Sequence, residues 1–411
     1  MMYNWLEAQR ALMRSMDASV ASIARVWGMP AAYAELITPP GCEWLRRLLQ
    51  TTPELPPFGI ESISIDGRPV RVEESIADRT AFCTLRRFAR EGRNDGIGAP
   101  ILLCPPLAGH HAVMLRETVE TLLQDADVYV NDWANARDVP LAEGPFGLDD
   151  YVMTIERFMR QLCGERLHVL AVCQGTVPTV AAAALIATNG GPTPTSITLM
   201  GGPVDTRLSP TTVNQLATAH SIDWFRNMVI DTVPAHYRGA GRRIYPGYIQ
   251  HAAIVAAHPD RQWALESRYW TSLLAGDDAN VTASQRLLSE YASVLDMTEE
   301  YFLETLRVIF KEQQLAHGTW EVGGQRVKGD ALASTALCTV EGDCDDITGA
   351  GQTHAAHTVC RAVPDRLRVQ LTVPDCGHYD LFTGPRWREV VHPALVAFWH
   401  DARKQSKASP S

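Results

Sequence analysis

Along residues 100–200 short apolar runs alternate with longer segments of helical periodicity. Pro100–Cys104, Val128–Asn131, Leu167–Val172 and Ser196–Met200 have the length and β-branched content of buried strands. Between them, Val113–Leu123, Leu148–Leu162 and the Ala-rich stretch after Gly175 repeat apolar positions at helical spacing. Such a succession predicts a mostly parallel sheet with helices on both faces. Upstream, Ile60–Ile65 and Val70–Val72 flank Asp66-Gly67, a strong hairpin signal, and Phe82–Phe88 reads as a third strand. After Gly201-Gly202-Pro203 the alternation stops, and residues 205 to about 330 read as helical. The sheet resumes with Ala336–Val340 and Arg368–Val373, with helices expected at 350–361 and 387–402.

This pattern divides the chain into four parts. Residues 1–58 are an N-terminal helix and loop region, with apolar spacing over 3–27 that suits an amphipathic helix, followed by Pro-rich sequence. Residues 59–204 and 331–403 form an α/β core, 205–330 are an insertion, and the polar stretch 404–411 is expected to be disordered. Thirteen of the 31 aromatic residues fall in the insertion, Trp224, Tyr245, Trp270, Tyr291, Tyr301 and Trp320 among them. They suit either a helical subdomain with its own core or a cap whose inner face receives an apolar substrate.

One strand end carries the chemistry. Leu167–Val172 runs into Cys173, with Ala171 two residues before it, Gly175 two residues after it, and a helical segment beyond. Strand, sharp turn and helix with a reactive side chain at the tip is the layout of a nucleophile elbow. Small residues at 171 and 175 suit the crowding of such a turn, and the helix N-terminus favours a thiolate. The Gln174 N–H is placed to donate to an oxyanion. A buried structural cysteine at a strand end remains the alternative from these residues alone.

Two further strand ends complete a constellation. Asp343, Asp345 and Asp346 follow Ala336–Val340, and His378 follows Arg368–Val373. In an open parallel sheet all of these share the carboxyl edge, where ligands bind. The order nucleophile, acid, base is that of α/β-hydrolases. Asp345 is the preferred acid, with Asp346 second and Asp343 assigned to the turn. The loop Pro105–His111 should supply the second oxyanion donor, from Leu107 N–H or else Ala108. His354 with His357 and His110 with His111 are rival metal pairs, but no further ligands stand at suitable spacing, and no metal is expected. Asn131-Asp132-Trp133 is expected as a buried polar anchor beneath the site.

Composition narrows the partners. The net charge is −10 over 411 residues with a sequence pI near 5.7, and no basic cluster suggests nucleic acid. Nine cysteines are scattered without a CxxC pair, which suits a reducing compartment. No targeting segment or membrane-length apolar run is seen, so a cytoplasmic location is expected.

Pro105-Pro106-Leu107-Ala108-Gly109-His110-His111, Val172-Cys173-Gln174 with Thr176-Val177-Pro178, and Met200-Gly201-Gly202-Pro203 carry a resemblance. So do Tyr245-Pro246-Gly247, Gln250-His251-Ala252, Val294-Leu295-Asp296-Met297, Gly318-Thr319-Trp320, Val340-Glu341-Gly342 with Asp345-Asp346-Ile347, Gly349-Ala350-Gly351-Gln352-Thr353 and Cys376-Gly377-His378-Tyr379. From about residue 3 to 400 the chain resembles the intracellular polyhydroxybutyrate depolymerases. The resemblance implies an α/β-hydrolase fold with a large helical cap and a Cys173–Asp345–His378 triad. It also implies action on amorphous polyester granules in the bacterial cytoplasm. Gly175 departs from it, since Pro is expected there in the best-known members.

The leading expectation is therefore ester cleavage of poly(3-hydroxybutyrate) through a hydroxyacyl thioester, with no cofactor. Water, or coenzyme A as a co-substrate, releases the acyl group. Two alternatives stand beside it. Polyhydroxyalkanoate synthases also use a Cys in a lipase-like box, but they are typically longer and keep Gly where Ala171 stands. A non-catalytic granule-associated protein would have no use for three such residues at strand ends. The granule surface is the expected partner, and a homo-oligomer is left open.

Overall fold

The computed structural model describes residues 2, 3, 5–9, 55–92, 96–163 and 166–408. Most of the expected N-terminal helix and the loop to residue 58 lie outside the described residues. Among them are fourteen strands: β1 (Ser62–Ile65), β2 (Arg68–Arg79), β3 (Cys83–Arg90), β4 (Ile101–Cys104), β5 (Val128–Trp133), β6 (His168–Val172), β7 (Ser196–Met200), β8 (Asp231–Thr232), β9 (Arg243–Tyr245), β10 (Met297–Thr298), β11 (Glu321–Val322), β12 (Gln325–Arg326), β13 (Ala336–Gly342) and β14 (Arg368–Val373). Nine of them form one sheet in the order β1-β2-β3-β5-β4-β6-β7-β13-β14.

The sheet has two halves of different character. β1 to β3 pair antiparallel and β3 meets β5 antiparallel, whereas every pairing from β5 to β14 is parallel. The β1–β2 hairpin turns on Asp66 and Gly67, both at positive φ (50° and 73°), as a two-residue turn matched to strand twist requires. β4, β6, β7 and β13 are buried along their whole length, which is why they read as continuous apolar runs. Each such buried Val, Leu or Ile contributes about 1.5–3 kcal/mol. An antiparallel start, a β5–β4 crossing and parallel strands thereafter constitute the expected mostly parallel, helix-flanked sheet.

Helices pack on both faces. Leu148–Leu162 buries Tyr151, Val152, Ile155, Phe158 and Met159 along one stripe. The helix Thr176–Thr188 is buried from Thr176 to Ile186, and its run of four alanines lets it lie close to the sheet.

Three expectations are corrected. The segment 350–361 holds only one helical turn, Ala356–Val359. Gly351, Thr353 and His354 instead give their N–H groups to the Glu341 carboxylate at 2.7–2.8 Å, and the Thr353 hydroxyl bonds Gly202. A side chain at the end of β13 thus takes the donors a longer helix would need. The stretch 404–408, expected as disordered, continues the helix His392–Ala408. Leu395, Phe398, Trp399 and Ala402 bury one face of that helix, and propagation beyond an anchored helix adds one bond per residue. Lastly, the insertion between β7 and β13 is not wholly helical. It contains the small sheet β10-β9-β8 and the hairpin β11–β12, which turns on Gly323 and Gly324.

The insertion has no separate core of any size. Leu295, Met297, Tyr301, Leu306, Ile309, Phe310 and Trp320 join the apolar cluster of the main sheet. Only Tyr269, Trp270 and Leu288 make a small cluster of their own. Its outer helices, Thr212–Ala219 and Ile222–Met228, leave Val213, Leu216, Trp224 and Met228 exposed, with Leu208 just before them.

Candidate active site

β6 delivers Cys173 into a 3-10 turn, Cys173–Gly175, that leads directly into the helix Thr176–Thr188. Cys173 sits at φ 52°, a left-handed conformation that costs a non-glycine residue about 1–3 kcal/mol. The strain aims the sulfur outward from the strand end, and the surrounding contacts hold it. Thr176 Oγ1 donates to the Cys173 carbonyl at 2.8 Å. A Cβ on Gly175 would stand 2.7 Å from the Cys104 carbonyl oxygen and 3.2 Å from that of Pro105. The crowding is thus against the end of β4 rather than against Ala171. This explains why glycine stands at 175.

The acid and base come from the next two strand ends. Asp345 follows β13 and His378 follows β14, and His378 Nδ1 lies 2.8 Å from Asp345 Oδ2. The other carboxylate oxygen, Oδ1, accepts from Ile347 N at 2.9 Å and Thr348 N at 2.8 Å. Those bonds fix the carboxylate plane against the imidazole. The Cys173 sulfur is near enough to the same ring for its charge to act on it. Burial alone would push the imidazole pKa down. The charges of Asp345 and Cys173 and the hydrogen bonds to them outweigh it and raise His378 to about 10.

The neighbouring acids have other work. Asp343 Oδ1 accepts from Cys376 N at 3.2 Å and so ties the turn after β13 to the one after β14. Asp346 is largely exposed, with His258 Nδ1 3.6 Å away.

The loop after β4 is held from below. Its Pro105 carbonyl accepts from Tyr151 Oη at 2.8 Å and from Trp133 Nε1 at 3.3 Å. Gly109, at φ 95°, donates its N–H to Gln250 Oε1 at 2.7 Å. Pro105 and Pro106 have no N–H to give. Among the described residues this leaves the Leu107 and Ala108 N–H groups without an acceptor. Gln174 occupies the first turn of a helical segment, where backbone N–H groups lack intrahelical partners. Its side-chain Oε1 accepts from Tyr301 Oη at 3.3 Å.

Each rival histidine has a defined place. His111 Nε2 is 2.6 Å from Asp132 Oδ1, and Arg86 Nε holds the other Asp132 oxygen at 2.5 Å. Asn131 is fully buried beside the Cys104 sulfur, so β5 supplies a polar anchor under the loop. His110 Nε2 meets Tyr379 Oη at 3.1 Å. His354 Nδ1 and His357 Nε2 both converge on the Thr339 hydroxyl, at 2.7 and 3.0 Å.

Four contributors were not apparent from the sequence. A Cβ on Gly201, at φ 55°, would lie 3.1 Å from His378 Cε1, so this glycine is the floor on which the imidazole rests. A Cβ on Gly202 would fall 1.9 Å from Thr176 Oγ1, the hydroxyl that braces Cys173. Thr348 Oγ1 donates to the Gly201 carbonyl at 2.8 Å and so links the acid loop to that floor. Tyr301 reaches Gln174 from the insertion. The Gly201-Gly202 pair was the available signal, and its cause lies in contacts far apart in sequence.

Residues 201–403 match the family described as PHB de-polymerase C-terminus. The matched region contains Asp345 and His378, whereas Cys173 and Leu107 precede it. A search of curated protein sequences gave no match. Among solved structures, the chain is similar to the Paleococcus ferrophilus monoacylglycerol lipase, at 14% identity and a TM-score of 0.46 over 77% of this chain and 99% of that one. A thermophilic esterase from Thermogutta terrifontis gives 14% identity and 0.42 over 80% and 99%. A meta-cleavage product hydrolase from Pseudomonas fluorescens gives 15% and 0.42 over 83% and 97%.

Proposed function

We propose that this chain, whose residues 201–403 match the PHB de-polymerase C-terminus family, is a carboxylic-ester hydrolase in which Cys173, Asp345 and His378 form a catalytic triad acting on poly(3-hydroxybutyrate). The observation that carries this reading is one imidazole, His378, held 2.8 Å from the buried Asp345 carboxylate and feeling the charge of Cys173, itself held at positive φ. Asp345 fixes the tautomer and balances the imidazolium that forms when Cys173 gives up its proton. The sulfur then attacks an ester carbonyl of the polymer. The Leu107 and Gln174 N–H groups receive the charge that develops on the carbonyl oxygen, with Ala108 N–H beside them. The C–O bond breaks, His378 protonates the departing hydroxyl oxygen, and a hydroxyacyl thioester remains on Cys173. Water, activated by the same histidine, releases 3-hydroxybutyrate or its oligomers. Coenzyme A is the alternative acceptor.

The elements between β7 and β13, residues 205–330, serve as a cap over this site. Tyr301 and Gln250 extend from them to the two oxyanion-donor segments. The outward apolar side chains Leu208, Val213, Leu216, Trp224 and Met228 suit an apolar granule surface. No helix among the described residues is long and apolar enough to cross a membrane, and the eight described cysteines are all free thiols.

The test is a release assay on amorphous polyhydroxybutyrate granules with the wild type and Cys173→Ala, with and without coenzyme A. The reading expects 3-hydroxybutyrate products from the wild type only, and the added acceptor decides between hydrolysis and thiolysis. Equal release by both proteins would refute it.

A further inference from the structure

Beside the triad stands a cluster of polar groups that the reaction above does not use. Tyr379 follows His378 directly, and their ring centroids are 5.7 Å apart. The Arg261 guanidinium lies over the face of Tyr379, 3.9 Å from the ring centroid, and 5.7 Å from that of Tyr291. The Tyr379 phenol is pushed up by burial and by Tyr291, and Arg261 opposes that shift.

Three polar atoms around these rings have no hydrogen-bond partner. Among the described residues Arg261 has no carboxylate or hydrogen-bond partner, and its Nε is enclosed. The Tyr291 hydroxyl and His251 Nε2 are buried and likewise unpartnered. The His251 and Tyr291 rings meet edge to face at 6.2 Å, and Tyr291 and Tyr379 lie 6.4 Å apart. Leaving a buried polar group unpaired costs about 1–3 kcal/mol, so three such groups around two touching rings indicate a place built for a ligand.

The charge of that ligand follows from the cluster. Burial lowers His251 to about 4 and His110 to about 3, so both are neutral near pH 7. Arg261 is then the cluster's fixed positive charge, and its planar fork matches one carboxylate. The nearby Asp346 carboxylate is turned to His258 and largely solvated. A phosphate or diphosphate would bring more negative charge than one arginine balances.

We propose that Arg261, Tyr291 Oη and His251 Nε2 form a carboxylate subsite on the leaving-group side of the triad, so that the enzyme prefers the ester bond next to a free acid end. This rests on the triad reading given above. When the thioester forms on Cys173, the ester C–O bond breaks and His378 delivers its proton to the leaving 3-hydroxyl oxygen. In a terminal hydroxybutyrate unit the carboxylate is two carbons from that oxygen. Held by Arg261 one aromatic ring away, it places the oxygen at the imidazole. The chain would then be shortened from its carboxyl end.

The test compares the 3-hydroxybutyrate dimer ester, whose acid end is free, with the methyl ester of the same dimer. The wild type should show a kcat/KM ratio favouring the free acid by roughly 10- to 100-fold, as a charge-assisted hydrogen-bonded pair gives. Arg261→Gln should bring the ratio close to one, Arg261→Lys should restore part of it, and Tyr291→Phe should lower it several-fold. Because the ratio is taken within each protein, partial misfolding does not imitate the effect. An active wild type that cleaves both dimers equally overturns the subsite alone. Failure of Cys173-dependent cleavage on both dimers and on granules overturns the triad reading and the subsite with it. If Arg261→Gln leaves the ratio intact and slows only coenzyme A-dependent release, the arginine serves a phosphate and the proposal falls.

Discussion

His378 Nδ1 and Asp345 Oδ2 stand 2.8 Å apart at the ends of adjacent parallel strands, β14 and β13, with both side chains almost wholly enclosed. This pairing has consequences for stability as well as for proton transfer. Burial opposes the charged imidazole, yet Asp345 and Cys173 overcome it and raise His378 to about 10, above an unfolded value near 6.5. A histidine raised in this way adds stability that is fully present below about pH 6.5 and is lost as pH climbs towards 10.

The midpoint of urea unfolding should therefore fall between pH 6.5 and 10 in the wild type. Asp345→Asn removes the larger of the two stabilising charges and should flatten that slope while lowering the midpoint below pH 6.5. Parallel slopes in the two proteins would contradict the assignment of the raised imidazole to this pair.

Gly175 gives a steric prediction. Its φ of −62° is open to any residue, so only contact with the end of β4 excludes a side chain. Gly175→Ala should cost about 1–3 kcal/mol, read as a lowered Tm, because the opposing atom is a backbone carbonyl that cannot swing away. The shift would also disturb the Pro105–Gly109 loop, so activity should drop together with stability. An unchanged Tm would mean that the end of β4 yields more easily than its contacts indicate.

Tyr301 tests whether the insertion reaches into catalysis. Its hydroxyl orients the Gln174 side chain, and its ring stacks on Tyr151, which stacks in turn on Trp133. Tyr301→Phe keeps the stacking and removes the hydroxyl. A fall in kcat of about 3- to 10-fold with little change in KM is expected, as for loss of an interaction that matters in the transition state. A rise in KM at constant kcat would place Tyr301 in substrate binding instead.

The sheet was legible because its central strands are buried on both faces and so read as unbroken apolar runs. Ser196–Met200 and Arg368–Val373 match β7 and β14 to the residue. Cys173 and Asp345 could be selected because each follows such a run, and His378 because it follows the alternating edge strand β14. Other features depend on contacts distant in sequence. The short helix Ala356–Val359 was misjudged because a single carboxylate, Glu341, draws three N–H groups away from helical bonding. The role of Gly201 depends on His378 lying above it, 177 residues further along the chain. Likewise, nothing in the local spacing of Arg261, His251 and Tyr291 announces that two tyrosine rings bring them together. The end of the last helix was placed too early because residues 404–408 are polar, whereas the apolar anchor lies in the turns before them.

The central claim is that the Cys173 sulfur becomes covalently acylated by the polyester. The direct measurement is rapid quenching at acid pH after mixing the wild type with 3-hydroxybutyrate oligomers, followed by mass spectrometry of the Cys173 peptide. The account predicts an added hydroxybutyryl group on Cys173 within the first turnover, and its absence in His378→Ala, where release should also fall by about 10²–10⁴-fold. Product release with no adduct on Cys173, together with an active Cys173→Ala, would contradict it.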